Sequence, residues 1–196
     1  MEISSRVDPV RVVIAHCNLM AGELIARALN RQSRFTVVGL KSDVSSLLEQ
    51  VCSSPVDVVL IHSDLGTGSS NAITAVRQIS ETCPAVKSVI LMPTSERNLV
   101  VEAFRAHASG VFCSSVNGVK MLCQCVAKVY EGGIWASDIE LGYVMEAFSK
   151  TAPLRIVNAN GMRLLTDREE SVVRLVADGL TNREISSHHC CPGKIA

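Results

Sequence analysis

The sequence predicts an α/β fold: a doubly wound parallel sheet of five strand–helix units, a (βα)5 arrangement, followed by a small all-α segment. Three observations lead there. Five short apolar runs rich in β-branched residues recur between residues 10 and 113. Longer segments with helical periodicity separate them. Apolar residues make up 47% of the 196 and charged residues 19%, which allows a sizeable buried core.

The runs are VRVVIA (Val10–Ala15), FTVVGL (Phe35–Leu40), VDVVLI (Val56–Ile61), SVILM (Ser88–Met92) and GVFC (Gly110–Cys113). Nearly continuous apolar runs suit strands covered on both faces, as in a parallel sheet. Helices are predicted over Met20–Leu29, Val44–Cys52, Asn71–Ser80, Glu96–His107 and Val116–Tyr130. The first places Leu24, Ile25, Ala28 and Leu29 on one face. Right-handed crossovers then put helices on both faces of the sheet. In open sheets of this kind ligands bind at the carboxyl ends of the strands, near the topological switch point, so the search for chemistry starts there.

Beyond the sheet, Asp138–Lys150 reads as a helix with Leu141, Val144, Met145 and Phe148 on a common face. TAPLRIVNANG (Thr151–Gly161) reads as a linker punctuated by Pro, Gly and Asn. LTDREESVVRLVADGLTNREIS follows. Thr166 with Glu169 forms a capping box, Val172, Val173, Leu175 and Val176 supply an apolar face, and Gly179 ends the helix. Thr181 and Glu184 repeat the capping box, giving the opening half of a helix-turn-helix. The expected domains are residues 1–131, a linker with a helix over 132–164, and a helix-turn-helix segment over 165–196.

Formal net charge is zero, with 13 basic and 14 acidic residues up to Lys150 and 6 and 5 after it. Neither part carries the basic surplus that advertises nucleic-acid binding by charge alone. No apolar run approaches the ~18 residues of a membrane span. The MEISSRVDPVR start lacks the basic and apolar stretches of a signal peptide. A cytoplasmic location without membrane contact is expected, with the eight cysteines reduced. They form no CxxC pair, and core packing is the expectation for most; Cys123 and Cys125 are expected to point in different directions.

The stretch from Leu165 to Ser187 resembles the opening of the LuxR-type helix-turn-helix domain, whose pattern reads LTxRExEVLxLVAxGxSNxEIA; Thr166, Arg168, Glu169, Thr181, Asn182, Arg183 and Glu184 fall within it. EAFRAHASGVF (Glu102–Phe112) is similar to the EALRAGASGYL of receiver domains of the NarL/FixJ class, and GGIWAS (Gly132–Ser137) to their GGxYLS. The resemblance implies a flavodoxin-like receiver, a linker helix and a DNA-binding domain: a non-enzymatic transcriptional regulator of the two-component type. It also implies where phosphoryl chemistry would sit. The family places two acidic residues for Mg²⁺ after the first strand, a phosphoacceptor Asp at the end of the third, a Thr or Ser after the fourth and a Lys after the fifth. Here those positions fall on His16 and Cys17, on His62, on Met92 and on Ser114.

All five depart from the pattern, so a degenerate receiver that is not switched by aspartyl phosphate is expected. Asp64, two residues beyond His62, is expected to point along the loop. No cofactor or metal is assigned in this reading. His16, Cys17 and His62 nevertheless have the ligand types of a Zn²⁺ or copper site, so a soft-metal sensor stands beside the simpler view that the pocket has refilled with packing residues. The LGTGSSN turn (Leu65–Asn71) reads as a plain strand-to-helix loop. HHCCPGKIA (His188–Ala196) shows no helical period and no spaced ligand pairs. On that basis the helix-turn-helix is expected to be incomplete and its DNA binding weak. The alternative function is a non-enzymatic interaction module, forming homodimers or heterodimers with related regulators and titrating them.

Overall fold

A computed structural model of the chain describes residues 8–66 and 69–149. Five parallel strands form one sheet: β1 (Val10–Ala15), β2 (Phe35–Lys41), β3 (Val58–His62), β4 (Lys87–Met92) and β5 (Gly110–Cys113), in the order β2-β1-β3-β4-β5. Between them run α1 (Leu19–Asn30), α2 (Val44–Ser53), α3 (Ser69–Thr82) and α4 (Arg97–Arg105). Two more helices, α5 (Val119–Tyr130) and α6 (Asp138–Ser149), follow β5. The expected (βα)5 doubly wound sheet is the observed one. The linker beyond Ser149 and the helix-turn-helix segment, including Thr166, Arg168, Glu169, Thr181, Asn182, Arg183 and Glu184, lie outside the described residues.

Alternation along each strand divides the core in two. Val13, Ala15, Val59, Ile61, Ile90, Met92 and Val111 face one side and pack against α2, α3 and α4. Val12, Ile14, Val58, Leu60, Val89, Leu91 and Phe112 face the other, where α1 and α5 cover them. Each fully buried Val, Leu or Ile contributes ~1.5–3 kcal/mol of transfer free energy, which is why strands apolar on both faces hold the centre. The β1–β2 ladder slips by one residue between Val12 and Val13, passing from Val37 to Gly39 and leaving Val38 as a bulge.

Several boundaries shift for local reasons. The start expected at Val116 moves to Val119, because Asn117 turns its side-chain amide back to the Cys113 carbonyl at 2.9 Å and the extended Gly118 caps the helix. The helix expected to reach His107 stops at Arg105, where His107 adopts a left-handed φ of 69°. On α1, Leu24 is exposed; Gly22, Ile25, Ala26 and Leu29 form the inward face instead. Gly22 lets Leu40 pack close to the helix, since an added Cβ would lie 2.5 Å from Leu40 Cδ1 and push that side chain aside.

The face expected for α6 is also corrected. Leu141, Met145 and Phe148 are exposed, whereas Tyr143 and Val144 pack on the core and Glu140 is buried. Glu140 sets this rotation. Its carboxylate accepts the Ser137 N–H at 2.7 Å and the Ser95 hydroxyl at 2.5 Å, while its own N–H donates to Ser137 Oγ at 3.3 Å. That is a capping box whose acidic member also reaches across to the loop before α4. The segment leading to α6 is tied in by Gly110, which pairs with Trp135; a Cβ on Gly110 would sit 2.8 Å from the Trp135 carbonyl oxygen.

Candidate functional site

The strand order reverses between β1 and β3, and the residues at their carboxyl ends form the site that topology favours. β1 ends at Ala15, and His16 follows with its N–H bonded to the Lys41 carbonyl at 2.8 Å. His16 is buried, Cys17 is exposed, and Asn18 caps α1 by accepting the Ala21 N–H at 3.1 Å. His62 is the last residue of β3 and is half-buried.

The two imidazoles face one another with ring centroids 4.1 Å apart and planes inclined by 34°. Cys17 Sγ lies 3.9 Å from His16 Nδ1 and 3.8 Å from His62 Nδ1. One ligand atom from each of the three residues falls within 4.8 Å of the others. Both Nδ1 atoms also accept a backbone N–H, from Asn18 at 2.9 Å and from Asp64 at 3.2 Å. A ring nitrogen that accepts an N–H carries no proton, so this donor pattern assigns the neutral Nε2–H tautomer to both.

Burial favours the neutral form as well. The His16 imidazole is held below its usual range by burial first and by the neighbouring His62 second, and the Asp64 charge opposes both. His62 is likewise held down by burial, against the pull of Asp64. The Asp64 carboxylate is exposed, and its Oδ1 accepts the Ser63 hydroxyl at 3.4 Å. Its backbone N–H, not its carboxylate, makes the bond to His62.

Of the five positions taken from the family pattern, three converge and two stand apart. Met92 is fully buried in the core on the α2–α4 side. Ser114 donates its N–H and its hydroxyl to the Met92 carbonyl at 2.9 and 3.2 Å, tying the ends of β4 and β5 together. Two imidazoles and a thiol do not suit Mg²⁺, a hard cation that takes oxygen ligands.

Asn18 and Asp64, whose backbone N–H groups fix the two rings, were not singled out as site residues by the sequence. Asn18 carried a signal as an N-cap just before a helix, whereas the Asp64 contact depends on the turn after β3. Nor did spacing reveal that Cys52 and Cys83 bring their sulfurs to 4.0 Å. Among the described cysteines only Cys113 and Cys125 are buried, with burial pushing the Cys125 thiol up to about 12. The expectation of core packing therefore holds for those two and in part for Cys83 and Cys123. Cys123 and Cys125 do differ in direction, one half-buried and one enclosed.

No family model matches the chain. The Fimbriae Z protein of Escherichia coli K12 is 25% identical over 181 residues, covering 92% of this chain and 81% of that protein. The response regulator protein VraR of Staphylococcus saprophyticus is 25% identical, covering 91% and 81%. Among solved structures, a LuxR-family two-component response regulator from Aurantimonas sp. superposes with a TM-score of 0.64 at 19% identity, over 72% of this chain and 99% of that one. The RcsB response regulator in a DNA complex superposes with a TM-score of 0.62 at 16% identity, over 92% and 82%. Related along nine tenths of its length to such regulators, and sharing their parallel five-stranded sheet, the chain is a homologue of the LuxR/NarL-type response regulators.

Proposed function

We propose that the chain is a transcriptional regulator whose receiver-like domain works without aspartyl phosphorylation. The observation that carries this reading is the replacement of acidic side chains by His16, Cys17 and His62 at the ends of β1 and β3. An aspartyl phosphate needs an acceptor carboxylate facing the crevice and a hard cation to screen its charge. Asp64 is the nearby carboxylate, and it sits on the exposed turn with Ser63 as its hydrogen-bond partner. Incubation of the whole chain with acetyl phosphate and Mg²⁺, followed by intact-mass measurement, is expected to leave the mass unchanged. A phosphoryl adduct on Asp64 or His62 would overturn the reading.

DNA is the proposed partner of the chain, by analogy with the RcsB–DNA complex, and its cytoplasmic location follows from that role. A gel shift on operator DNA at several salt concentrations tests it, because phosphate contacts make affinity fall steeply with salt. An interaction module is the second reading. It is favoured by the exposed apolar row Leu19, Met20 and Leu24 on α1, which are 54%, 74% and 62% exposed. Sedimentation in the absence of DNA separates the two, since only the second requires self-association or pairing with a related regulator.

A further inference from the structure

We propose that His16, Cys17 and His62 form a binding site for a borderline-soft divalent cation of the Zn²⁺ class, with a fourth position open to water. The proposal goes beyond the regulatory reading above and does not depend on DNA binding. It rests on convergence, on spacing and on access.

The three side chains come from two adjacent strands and meet at the one place where the doubly wound topology opens a crevice. Zn–N bonds of about 2.0–2.1 Å and a Zn–S bond of about 2.3 Å set a nitrogen-to-sulfur edge of about 3.5 Å in a tetrahedron. The two such edges here are 3.8 and 3.9 Å, and the three ligand atoms lie within 4.8 Å of one another. The sulfur edges therefore close by a few tenths of an ångström and the two rings draw together by up to about 1.5 Å, a side-chain adjustment. A thiol introduced merely to fill space would be enclosed; Cys17 is exposed, which gives an ion its entry path and leaves room for a water ligand.

Ligation asks for two changes. The Cys17 thiol passes its proton to solvent and binds as thiolate, and each imidazole exchanges one backbone N–H for the metal at Nδ1. The donors given up belong to Asn18 and Asp64, both on exposed turns, so water can take over those N–H groups. Neither ring must lose a charge, because both are already neutral by tautomer assignment. The nearby Asp64 carboxylate favours positive charge at both rings and adds attraction for a cation.

The test uses the whole reduced chain with Co²⁺ as a coloured stand-in, then Zn²⁺ as competitor. Two rival thiol groups need control: Cys190 and Cys191 beside His188 and His189, and the Cys52–Cys83 pair. In a C190S/C191S background, one equivalent of Co²⁺ is expected to release one proton and give a thiolate-to-metal charge-transfer band, which Zn²⁺ then abolishes by displacing Co²⁺. Adding C17S should remove the band. H62A should weaken binding beyond the ~10–100-fold that loss of an outer hydrogen-bond partner costs. Because Cys17 is exposed, C17S keeps the test readable where H62A disturbs the end of β3. A band that survives C17S, a band lost already in C190S/C191S, or no binding at micromolar metal each overturns the proposal.

Discussion

Asp57 shows how much one partly buried carboxylate can organise. Sitting just before β3, it accepts from Arg11 three times: the backbone N–H at 2.8 Å, Nε at 2.9 Å and Nη2 at 2.7 Å. Its own N–H and carbonyl continue the sheet to Arg11 and Lys87. The Arg11 guanidinium holds the Asp57 carboxyl below its usual range, against the opposing effect of burial. The unfolded chain therefore takes up this proton first as pH falls. The stabilisation is complete above the ordinary carboxyl value of about 4 and is lost as pH drops through the lower native value. Asp57→Asn keeps the shape and removes the charge. At neutral pH it is expected to lower Tm by about 2–4 °C, as a loss near 1 kcal/mol does in a chain of this size. That deficit should shrink toward zero as both proteins are acidified through the lowered native value of Asp57. A deficit independent of pH would show that packing, not charge, holds this corner.

Element ends carry a second lesson, clearest where α4 stops. Its last turn closes with the His107 N–H on the Phe104 carbonyl at 3.1 Å and the Ala108 N–H on the Ala103 carbonyl at 2.9 Å. The wider of those two bonds spans five residues, the mark of a Schellman closure, whose pivot must be left-handed. His107 occupies that pivot with φ 69°, where a Cβ costs energy that glycine avoids. His107→Gly is therefore expected to stabilise the protein by ~1 kcal/mol, the sterically avoidable part of a left-handed L-residue. Urea unfolding followed by the fluorescence of Trp135 measures it, Trp135 being the single tryptophan. A loss of stability would mean that the His107 ring contributes more by contact than its backbone costs. The signal was present in the sequence, since the resembling EALRAGASG stretch has glycine where EAFRAHASG has His107. Periodicity alone ran the helix through it, because helical spacing says nothing about φ at the last residue. The strands were more legible: their apolar runs predict all five within two residues. The rotation of α6 was not legible, since Leu141, Met145 and Phe148 compete with Tyr143 and Val144 for burial, and tertiary contacts decide between them: Glu140 to Ser95, and Arg97 to Glu146 and the Tyr143 ring. The candidate site lies between these cases. Strand ends placed His16, Cys17 and His62 together, but the ring stacking and the two backbone donors depend on turns that the sequence does not specify.

At the scale of the sheet-built unit, two cores lie back to back on one sheet, and β3 belongs to both. Leu60 points into the core covered by α1 and α5, and Ile61, its neighbour in sequence, points into the core covered by α2, α3 and α4. Both are fully buried. Truncating either to alanine should cost ~2–5 kcal/mol through lost transfer energy and the cavity left behind. Trp135 packs at the margin of the Leu60 side only. If the cores melted separately, Leu60→Ala would shift the Trp135 unfolding transition and Ile61→Ala would leave it in place. The shared strand argues otherwise. A β3 that has lost its ladder to β1 and β4 cannot present Leu60 correctly while Ile61 is disordered, because both side chains hang on the same backbone hydrogen bonds. Both single variants are therefore expected to move the Trp135 urea midpoint by similar amounts with an unchanged slope. In the double variant the summed loss reaches about 4–10 kcal/mol, comparable with the ~5–15 kcal/mol total of a typical domain, so the protein should be largely unfolded without denaturant. A Trp135 transition indifferent to Ile61→Ala would divide the unit into two independently folding faces, and the carboxyl ends of β1 and β3 would then be positioned by one face alone.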